Sequence, residues 1–117
     1  MTTTLLQETC VPCRGKVPPV PASDLTELMA QIPHWSLIKQ SGEPRLQRVY
    51  HFKDFMTALA FTQQVGEIAE TEGHHPAILT EWGQVTVTWW THTIRNLHRN
   101  DFIMAAKTDE VRTLIGA

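Results

Sequence analysis

The feature that most constrains the fold of this chain is an amphipathic stretch between Asp54 and Gly73. Its apolar and small residues recur at helical spacing and form one continuous stripe: Phe55, Ala58, Leu59, Thr62, Val65, Gly66 and Ala69. Asp54 is a good N-cap and Gly73 a good C-terminal stop, so we expect a long helix between them. Met56, Phe61 and Ile68 lie off the stripe, which predicts a second buried face and hence self-association.

Patterns typical of β-hairpins flank this helix on both sides. The first predicted pair of strands is Trp35–Gln40 and Arg45–Phe52, joined by the turn Ser41–Pro44. The second pair is Ala77–Trp82 and Val85–His92, joined by Gly83–Gln84. Apolar and polar residues alternate along the last strand, as in a strand with one buried face. Strands joined by short turns predict an antiparallel sheet.

Two shorter helices complete the predicted order of helix, hairpin, helix, hairpin, helix. The first helix begins with Ser23 as N-cap and stops at Pro33, and the last begins at Asn100 or Asp101 and reaches Leu114. Helices between hairpins can cover one face of the sheet, so the fold class is α+β. We expect residues 1–22 to be a proline-punctuated arm and residues 23–117 to be a single domain.

Composition narrows the possible functions. The chain has 117 residues, of which 42% are hydrophobic and 19% charged, as in a soluble globular domain. A net charge of −2 gives no electrostatic reason to expect direct binding to nucleic acid or to an anionic membrane. The sequence has neither a spanning apolar run nor a secretory signal pattern, so a cytoplasmic location is expected by default.

The two cysteines, Cys10 and Cys13, form a single Cys-x-x-Cys in the arm. A closed zinc site needs four ligands, and the surrounding prolines favour extended chain over the helix start of a redox motif. We interpret them as two thiols on an irregular arm. A second chain could complete a metal site, which is the minor alternative.

Groups that can move protons near neutral pH concentrate between residues 70 and 101. His74 and His75 follow the predicted helix end, His92 ends the last predicted strand, and Glu70 and Asp101 bracket the set. Pro76 restrains His75 to extended geometry, in which adjacent side chains diverge. His74 and His75 should therefore play different roles, and they are poor partners on one metal ion. His92 could face the same pocket across the hairpin.

Each of these residues also has a structural interpretation. Any single histidine is more often a hydrogen-bonded structural residue than a catalyst, and we leave His34, His51 and His98 in that class. Glu70 and Asp101 could be a helix-end charge and a cap. The tryptophans are more often part of a core or an interface than of a ligand site.

The motif Glu70-x-x-x-His74-His75-Pro76, followed by Trp82, Thr91-His92 and Asp101, resembles the signature of the pterin-4a-carbinolamine dehydratases. The phrase Tyr50-His51-Phe52-Lys53-Asp54-Phe55 also resembles the way that this family enters its long helix. The resemblance covers roughly Ser23 to the C-terminus, and the cysteine-containing arm looks like an extension carried by some members. It implies a four-stranded antiparallel sheet with three helices on one face, assembled as a homodimer or homotetramer.

The resemblance also implies a reaction. It is the loss of water from 4a-hydroxytetrahydropterin to give quinonoid dihydropterin, which recycles the cofactor of the aromatic amino-acid hydroxylases. The family uses neither a metal nor an organic cofactor.

By the same resemblance, each residue has an expected role. His74 is the main general acid/base, His92 is the second, His75 binds and orients the pterin, and Glu70 and Asp101 tune or orient the imidazoles. The expected substrate-binding positions are Gly73, His74, His75, Pro76, Trp90, Thr91, His92 and Thr93.

Gly73 and Thr93 stand where the better-known members commonly carry an aspartate and a glutamate, and Ile94 and Asn100 also replace polar or basic neighbours. These departures bear on pterin affinity and side-chain preference more than on the reaction. Two alternatives stay open: a non-catalytic binding or assembly module, as in relatives that serve a transcription factor or a carboxylase, and a metal-dependent enzyme using His74, His92 and Glu70.

Overall fold

A computed structural model describes residues 5–11 and 18–115 of the chain. The elements are α1 (Ala22–Ala30), β1 (Ser36–Gln40), β2 (Glu43–His51), α2 (Phe55–Glu72), β3 (Ala77–Glu81), β4 (Gln84–Trp89) and α3 (Arg99–Leu114). The four strands form one antiparallel sheet in the order β1-β2-β4-β3. The predicted α+β fold, with a four-stranded antiparallel sheet and three helices, is confirmed.

The strand register determines which side chains enter the core. Leu46 of β2 lies opposite Trp89 of β4, and Tyr50 lies opposite Val85. All four are buried, whereas Val49, which points to the other face, is 41% exposed. Because side chains alternate along a strand, one face of the sheet is covered by the helices and the other is open.

The bounds of α2 agree with the prediction, and both ends have a local cause. Asp54 accepts a hydrogen bond from the backbone N–H of Thr57 at 2.8 Å, which satisfies one of the free donors of the first turn. Gly73 ends the helix with φ at +67°, a left-handed conformation that glycine adopts without a Cβ penalty.

The predicted buried stripe of α2 is wrong at its N-terminal end. Phe55 and Leu59 are 41% and 39% exposed, whereas Phe61 is fully buried. The Phe61 ring packs 4.7 Å from that of Tyr50 and 5.1 Å from that of Phe52, so these contacts place Phe61, and not Phe55, on the buried face of the helix. The buried residues of α2 are Ala58, Phe61, Val65 and Ala69.

Further boundaries differ from the prediction. The first hairpin turns at Ser41 and Gly42, so Glu43 and Pro44, predicted in the turn, already belong to β2. Helix α1 begins at Ala22 after Pro21, so Ser23 lies inside the helix and does not cap it. The second hairpin turns one residue earlier than predicted, because Gly83 supplies the positive φ of +74°. Strand β4 ends at Trp89, so His92 lies in the following turn and not in the strand.

The N-cap of α3 is His98, not Asn100 or Asp101. Its side chain accepts the backbone N–H of Asn100, while the Asp101 side chain reaches back to the N–H of His98. This reciprocal arrangement is a capping box, with Asp101 at the third helical position.

A carboxylate on α3 ties that helix to the sheet. Asp109 accepts hydrogen bonds from Trp35 Nε1 at 3.0 Å, from Arg48 Nη1 at 2.7 Å and from the Tyr50 hydroxyl. Burial and the neighbouring carboxylate raise the pKa of Tyr50 far above its ordinary value, so the phenol stays a proton donor. The network fixes α3 against β2.

The described part of the arm packs onto the domain. Residues Leu5–Gln7 form a short 3₁₀ turn, and Leu5 is only 1% exposed. Cys13 lies outside the described residues, so the interpretation of the two cysteines stays a prediction, as does the division between arm and domain. Within residues 5–11 and 18–115, no helix combines the length and apolar composition needed to cross a bilayer.

Candidate active site

His74 is directed into the protein by the end of α2. After Gly73 the His74 backbone N–H still reaches the carbonyl of Ala69 at 3.2 Å, which holds the chain against the helix. The residue is 6% exposed, and its ring stacks on that of Trp89, with centroids 5.5 Å apart and planes 15° from parallel. The strand end therefore provides a rigid support for this imidazole.

Asp101 holds the other side of the His74 ring. Its carboxylate is fully buried, with Oδ1 lying 2.6 Å from His74 Nε2. Oδ2 accepts hydrogen bonds from the Thr91 hydroxyl at 2.8 Å and from the His98 backbone N–H at 2.9 Å. An ionised carboxylate can only accept hydrogen bonds, so His74 Nε2 carries the proton of this contact. Nδ1 of His74 has no hydrogen-bond partner among the described residues.

His98 has a structural role, as the sequence interpretation expected. Its Nδ1 accepts the N–H of Asn100 at 3.1 Å, which requires the unprotonated nitrogen. Burial lowers the pKa of His98, and the positive charge that His74 can carry acts in the same direction, while Asp101 opposes them. The neutral imidazole is thus the form that caps α3.

His75 is exposed and bonded to a different carboxylate from the one that buried His74 contacts, in line with the separate roles predicted for the two residues. Its Nε2 lies 2.6 Å from Glu70 Oε1, but the two side chains are 59% and 79% exposed. An exposed pair of this kind contributes little to stability, because water screens it and both side chains lose freedom. The effect of this contact is to orient the ring, because the Glu70 carboxylate holds one edge of the His75 imidazole.

His92 packs against Trp90, and Trp90 in turn against Arg45, a residue that sequence reasoning did not find. Its ring centroid lies 4.4 Å from that of Trp90, and the Arg45 guanidinium lies 3.8 Å from the centre of the Trp90 ring. Arg45 Nε is buried without a hydrogen-bond partner in the described structure. Arg45 precedes Leu46, which pairs with Trp89, so only the pairing of β2 with β4 could have placed it beside Trp90.

One shallow pocket brings six of the predicted residues together. Its volume is about 170 Å³, and its lining consists of Gly73, His74, His75, Thr91, His92 and Thr93. The other four predicted residues lie outside the lining. Asp101 and Glu70 are hydrogen-bonded to His74 and His75, Trp90 packs against His92 with the ring planes tilted, and Pro76 lies partly buried before β3.

Larger cavities exist elsewhere in the described structure, but none of the three histidines lines them. A cavity of about 390 Å³ is lined by residues of the arm and of α3, and a groove of about 540 Å³ runs along α2 and includes Glu70. Volume alone does not identify a reactive site, whereas convergent titrating side chains do so more often. Over the same residues, no three His, Cys, Asp or Glu side chains are grouped so that they could hold a metal ion.

Comparison with known proteins gives a consistent result. Residues 18–111 match the sequence model of the family described as Pterin 4 alpha carbinolamine dehydratase. The chain is 54% identical over 113 residues to a Gloeobacter violaceus protein named "Putative pterin-4-alpha-carbinolamine dehydratase 1", covering 97% of each chain. It is 55% identical over 109 residues to a similarly named protein of Microcystis aeruginosa, covering 93% of this chain and 94% of that one.

Solved structures share the fold. A protein described as a transcriptional coactivator/pterin dehydratase from Brucella melitensis is 29% identical, with a TM-score of 0.73 over 80% of this chain and 98% of that one. A pterin dehydratase-like RuBisCO assembly factor of the alpha-carboxysome is 24% identical, with a TM-score of 0.55 over 67% and 90% of the two chains, and shows the fold alone. Because the family match spans the whole sheet and nearly all of α3, this chain belongs to the pterin-4α-carbinolamine dehydratase family.

Proposed function

We propose that the protein dehydrates 4a-hydroxytetrahydropterins to quinonoid dihydropterins and so recycles a tetrahydropterin cofactor. The observation that carries this proposal is the pocket lined by three histidines, one of which is bonded to a buried carboxylate. In the reaction the C4a–O bond breaks, the hydroxyl leaves as water after gaining a proton, and N5 loses a proton as the N5=C4a bond forms. Two proton transfers at different atoms call for two groups that titrate near neutral pH.

His74 is assigned to the leaving hydroxyl. Asp101 accepts a hydrogen bond from Nε2–H and stabilises the positive charge when the ring is doubly protonated. The proton on Nδ1 is then the one available to a ligand in the pocket. Packing on Trp89 keeps the ring from turning away, so little orientation has to be recovered when the substrate binds.

His92 is assigned to N5. It reaches the pocket from the turn after β4, whereas His74 reaches it from the end of α2. Its contact with Trp90, which Arg45 covers from β2, restrains an otherwise exposed ring. His75, held by Glu70, binds and orients the pterin, and Thr91 and Thr93 complete the wall beside it.

The proposal also includes a homodimer or homotetramer, a cytoplasmic location and a functional link to an aromatic amino-acid hydroxylase. Exposed apolar side chains support the self-association: Met56 at the start of α2 and Trp82 in the second hairpin turn are both 74% exposed. A hydrogen bond of 2.8 Å from Phe52 N–H to the Gly83 carbonyl joins this hairpin turn to the segment that leads into α2. Light scattering after size exclusion measures the assembly, and a monomer at micromolar concentration would contradict this part.

A dehydration assay with purified, chelator-treated protein tests the reaction. We expect turnover well above background, and we expect His74→Ala and His92→Ala to lower it by about 10²–10⁴-fold each. His34→Ala is the control, because His34 is exposed and does not line the pocket. Background turnover in the unmodified protein would reject the enzyme and favour the assembly module. An unchanged rate in either pocket variant would reject that histidine's assignment.

A further inference from the structure

The N-terminal arm crosses the two segments that carry the buried pair of the site. The backbone N–H of Cys10 donates to Glu72 Oε1 at 2.8 Å. Glu72 is the last residue of α2, two positions before His74. The arm is therefore hydrogen-bonded to the end of α2, which His74 follows.

The next arm residue, Val11, is hydrogen-bonded to the first turn of α3. Val11 N–H donates to Asn100 Oδ1 at 3.1 Å, and Asn100 Nδ2 donates to the Val11 carbonyl at 2.7 Å. Asn100 is 2% exposed and immediately precedes Asp101. A side-chain amide paired with both polar groups of one backbone residue fixes distance and orientation together, because neither bond can rotate independently of the other.

An ion pair fixes the same turn of α3. Glu8 accepts two hydrogen bonds from Arg99, at 2.8 Å from Nε and 2.6 Å from Nη2, which is the paired geometry that gives guanidinium–carboxylate contacts their orientation. Leu5, buried against the domain, anchors the near end of the arm. The arm therefore contacts both the end of α2, through Cys10 and Glu72, and the first turn of α3, through Val11 and Asn100. The His74–Asp101 hydrogen bond joins the same two segments.

We propose that Glu72 and Asn100 are positioning residues, through which arm residues 8–11 fix the separation of His74 and Asp101. The inference rests on the proposed function for its kinetic consequence but not for its structural one. If the arm is released, the end of α2 and the first turn of α3 can move apart. The short contact between the imidazole and the carboxylate then lengthens for part of the time, and His74 loses both its orientation and its charge stabilisation.

Glu72 offers the sharpest test, because it is only partly buried and can be replaced without opening the core. Glu72→Ala removes the acceptor for Cys10 N–H, whereas Glu72→Gln removes the charge but keeps an amide oxygen in its place. Glu67→Ala is the matched control: it removes the same residue type from an exposed position on α2, where the Glu67 carboxylate accepts a hydrogen bond from Gln63 Nε2.

The measurements are the titration of the His74 imidazole by NMR and the kcat and KM for carbinolamine dehydration, in the full chain. We expect Glu72→Ala to shift the His74 titration and to lower kcat roughly tenfold with little change in KM, since misplaced catalytic groups lose rate more than binding. Glu72→Gln and Glu67→Ala should both match the parent protein. The titration needs no substrate, so it reports on the arm even if the protein proves not to be a dehydratase.

A second full-length variant releases the arm at its other contact. Glu8→Ala removes the acceptor of both Arg99 hydrogen bonds, and we expect it to shift the His74 titration in the same direction as Glu72→Ala does. An equal loss in Glu72→Ala and Glu72→Gln would overturn the proposal in favour of a direct charge effect. A Glu72→Ala effect that Glu8→Ala does not share, or an unshifted His74 titration in Glu72→Ala, would overturn it as well.

Discussion

Replacing Asp101 by asparagine changes the polarity of one atom in the centre of the candidate site. The amide oxygen can take the place of Oδ2 and still accept from the Thr91 hydroxyl and the His98 N–H. The amide nitrogen then faces His74 Nε2, where the carboxylate oxygen stood 2.6 Å away. Because that nitrogen donates, Nε2 has to accept, and the proton of the neutral ring moves to Nδ1.

The cost in stability should be modest. Hydrogen bonds to a charged group contribute about 1.5–3 kcal/mol and neutral ones about 0.5–1.5 kcal/mol. The two retained bonds therefore weaken by about 1 kcal/mol each, and burying an amide in place of a carboxylate offsets part of that loss. We expect the free energy of unfolding to fall by about 2 kcal/mol or less, which a domain of ordinary stability tolerates.

The cost in rate should be much larger. The doubly protonated His74 would place its Nε2–H against the amide hydrogens, so the acid form is disfavoured without the Asp101 charge. We expect kcat to fall by about 10²–10⁴-fold, the usual contribution of one positioned proton donor. Expressed as activation free energy, this is about 3–5 kcal/mol, larger than the change in folding free energy.

Asp109→Asn is the matched control. Asp109 is another carboxylate of α3 that accepts three side-chain hydrogen bonds, but it lies outside the histidine pocket. It should lower the urea midpoint without a comparable loss of kcat, whereas Asp101→Asn should lower kcat and move the nitrogen shifts of His74 to the other tautomer. An Asp101→Asn protein with unchanged kcat and unchanged His74 tautomer would refute the reasoning.

Two further changes test the elements that present the site. Gly73→Ala should lower the free energy of unfolding in urea by about 1–2 kcal/mol, because φ is +67° at this position. Gly66→Ala, inside α2 with open space around the added Cβ, should instead raise it by up to about 1 kcal/mol. Equal effects of the two substitutions would contradict this explanation. His98→Asn keeps a good helix cap but removes a group whose pKa burial lowers below 6.5. Neutral His98 contributes stability above pH 6.5, and this contribution is lost as the pH falls through its folded-state pKa. The urea midpoint of His98→Asn should therefore fall less between pH 7 and pH 5 than that of the parent protein. An equal fall in the two proteins would contradict this prediction.

Local rules account for the parts of the fold that the sequence predicted correctly. Asp54 and Gly73 mark the ends of α2 through contacts within one turn, so their identities were sufficient. The stripe of α2 needed more, because Phe55 and Phe61 are equally apolar and only the rings of Tyr50 and Phe52 decide which one is buried. Helical spacing alone carries no information about those partners.

The candidate site divides in the same way. The divergence of His74 and His75 follows from the extended backbone that Pro76 imposes, and a single sequence is enough to expect it. Arg45 could not be placed, since its contact with Trp90 depends on β2 pairing with β4 across the intervening helix and strand. The contact between the arm and Asn100 could not be predicted either, because it joins residues 89 positions apart in the sequence.

Binding of a dihydropterin, followed through the imidazole signals of the six histidines, tests the central claim most directly. If the three rings share one ligand site, the signals of His74, His75 and His92 should shift together along one saturation curve, while those of exposed His34 and His51 stay in place. Shifts confined to a single pocket histidine, or saturating binding that leaves all three unmoved, would contradict the convergence of these rings on one ligand.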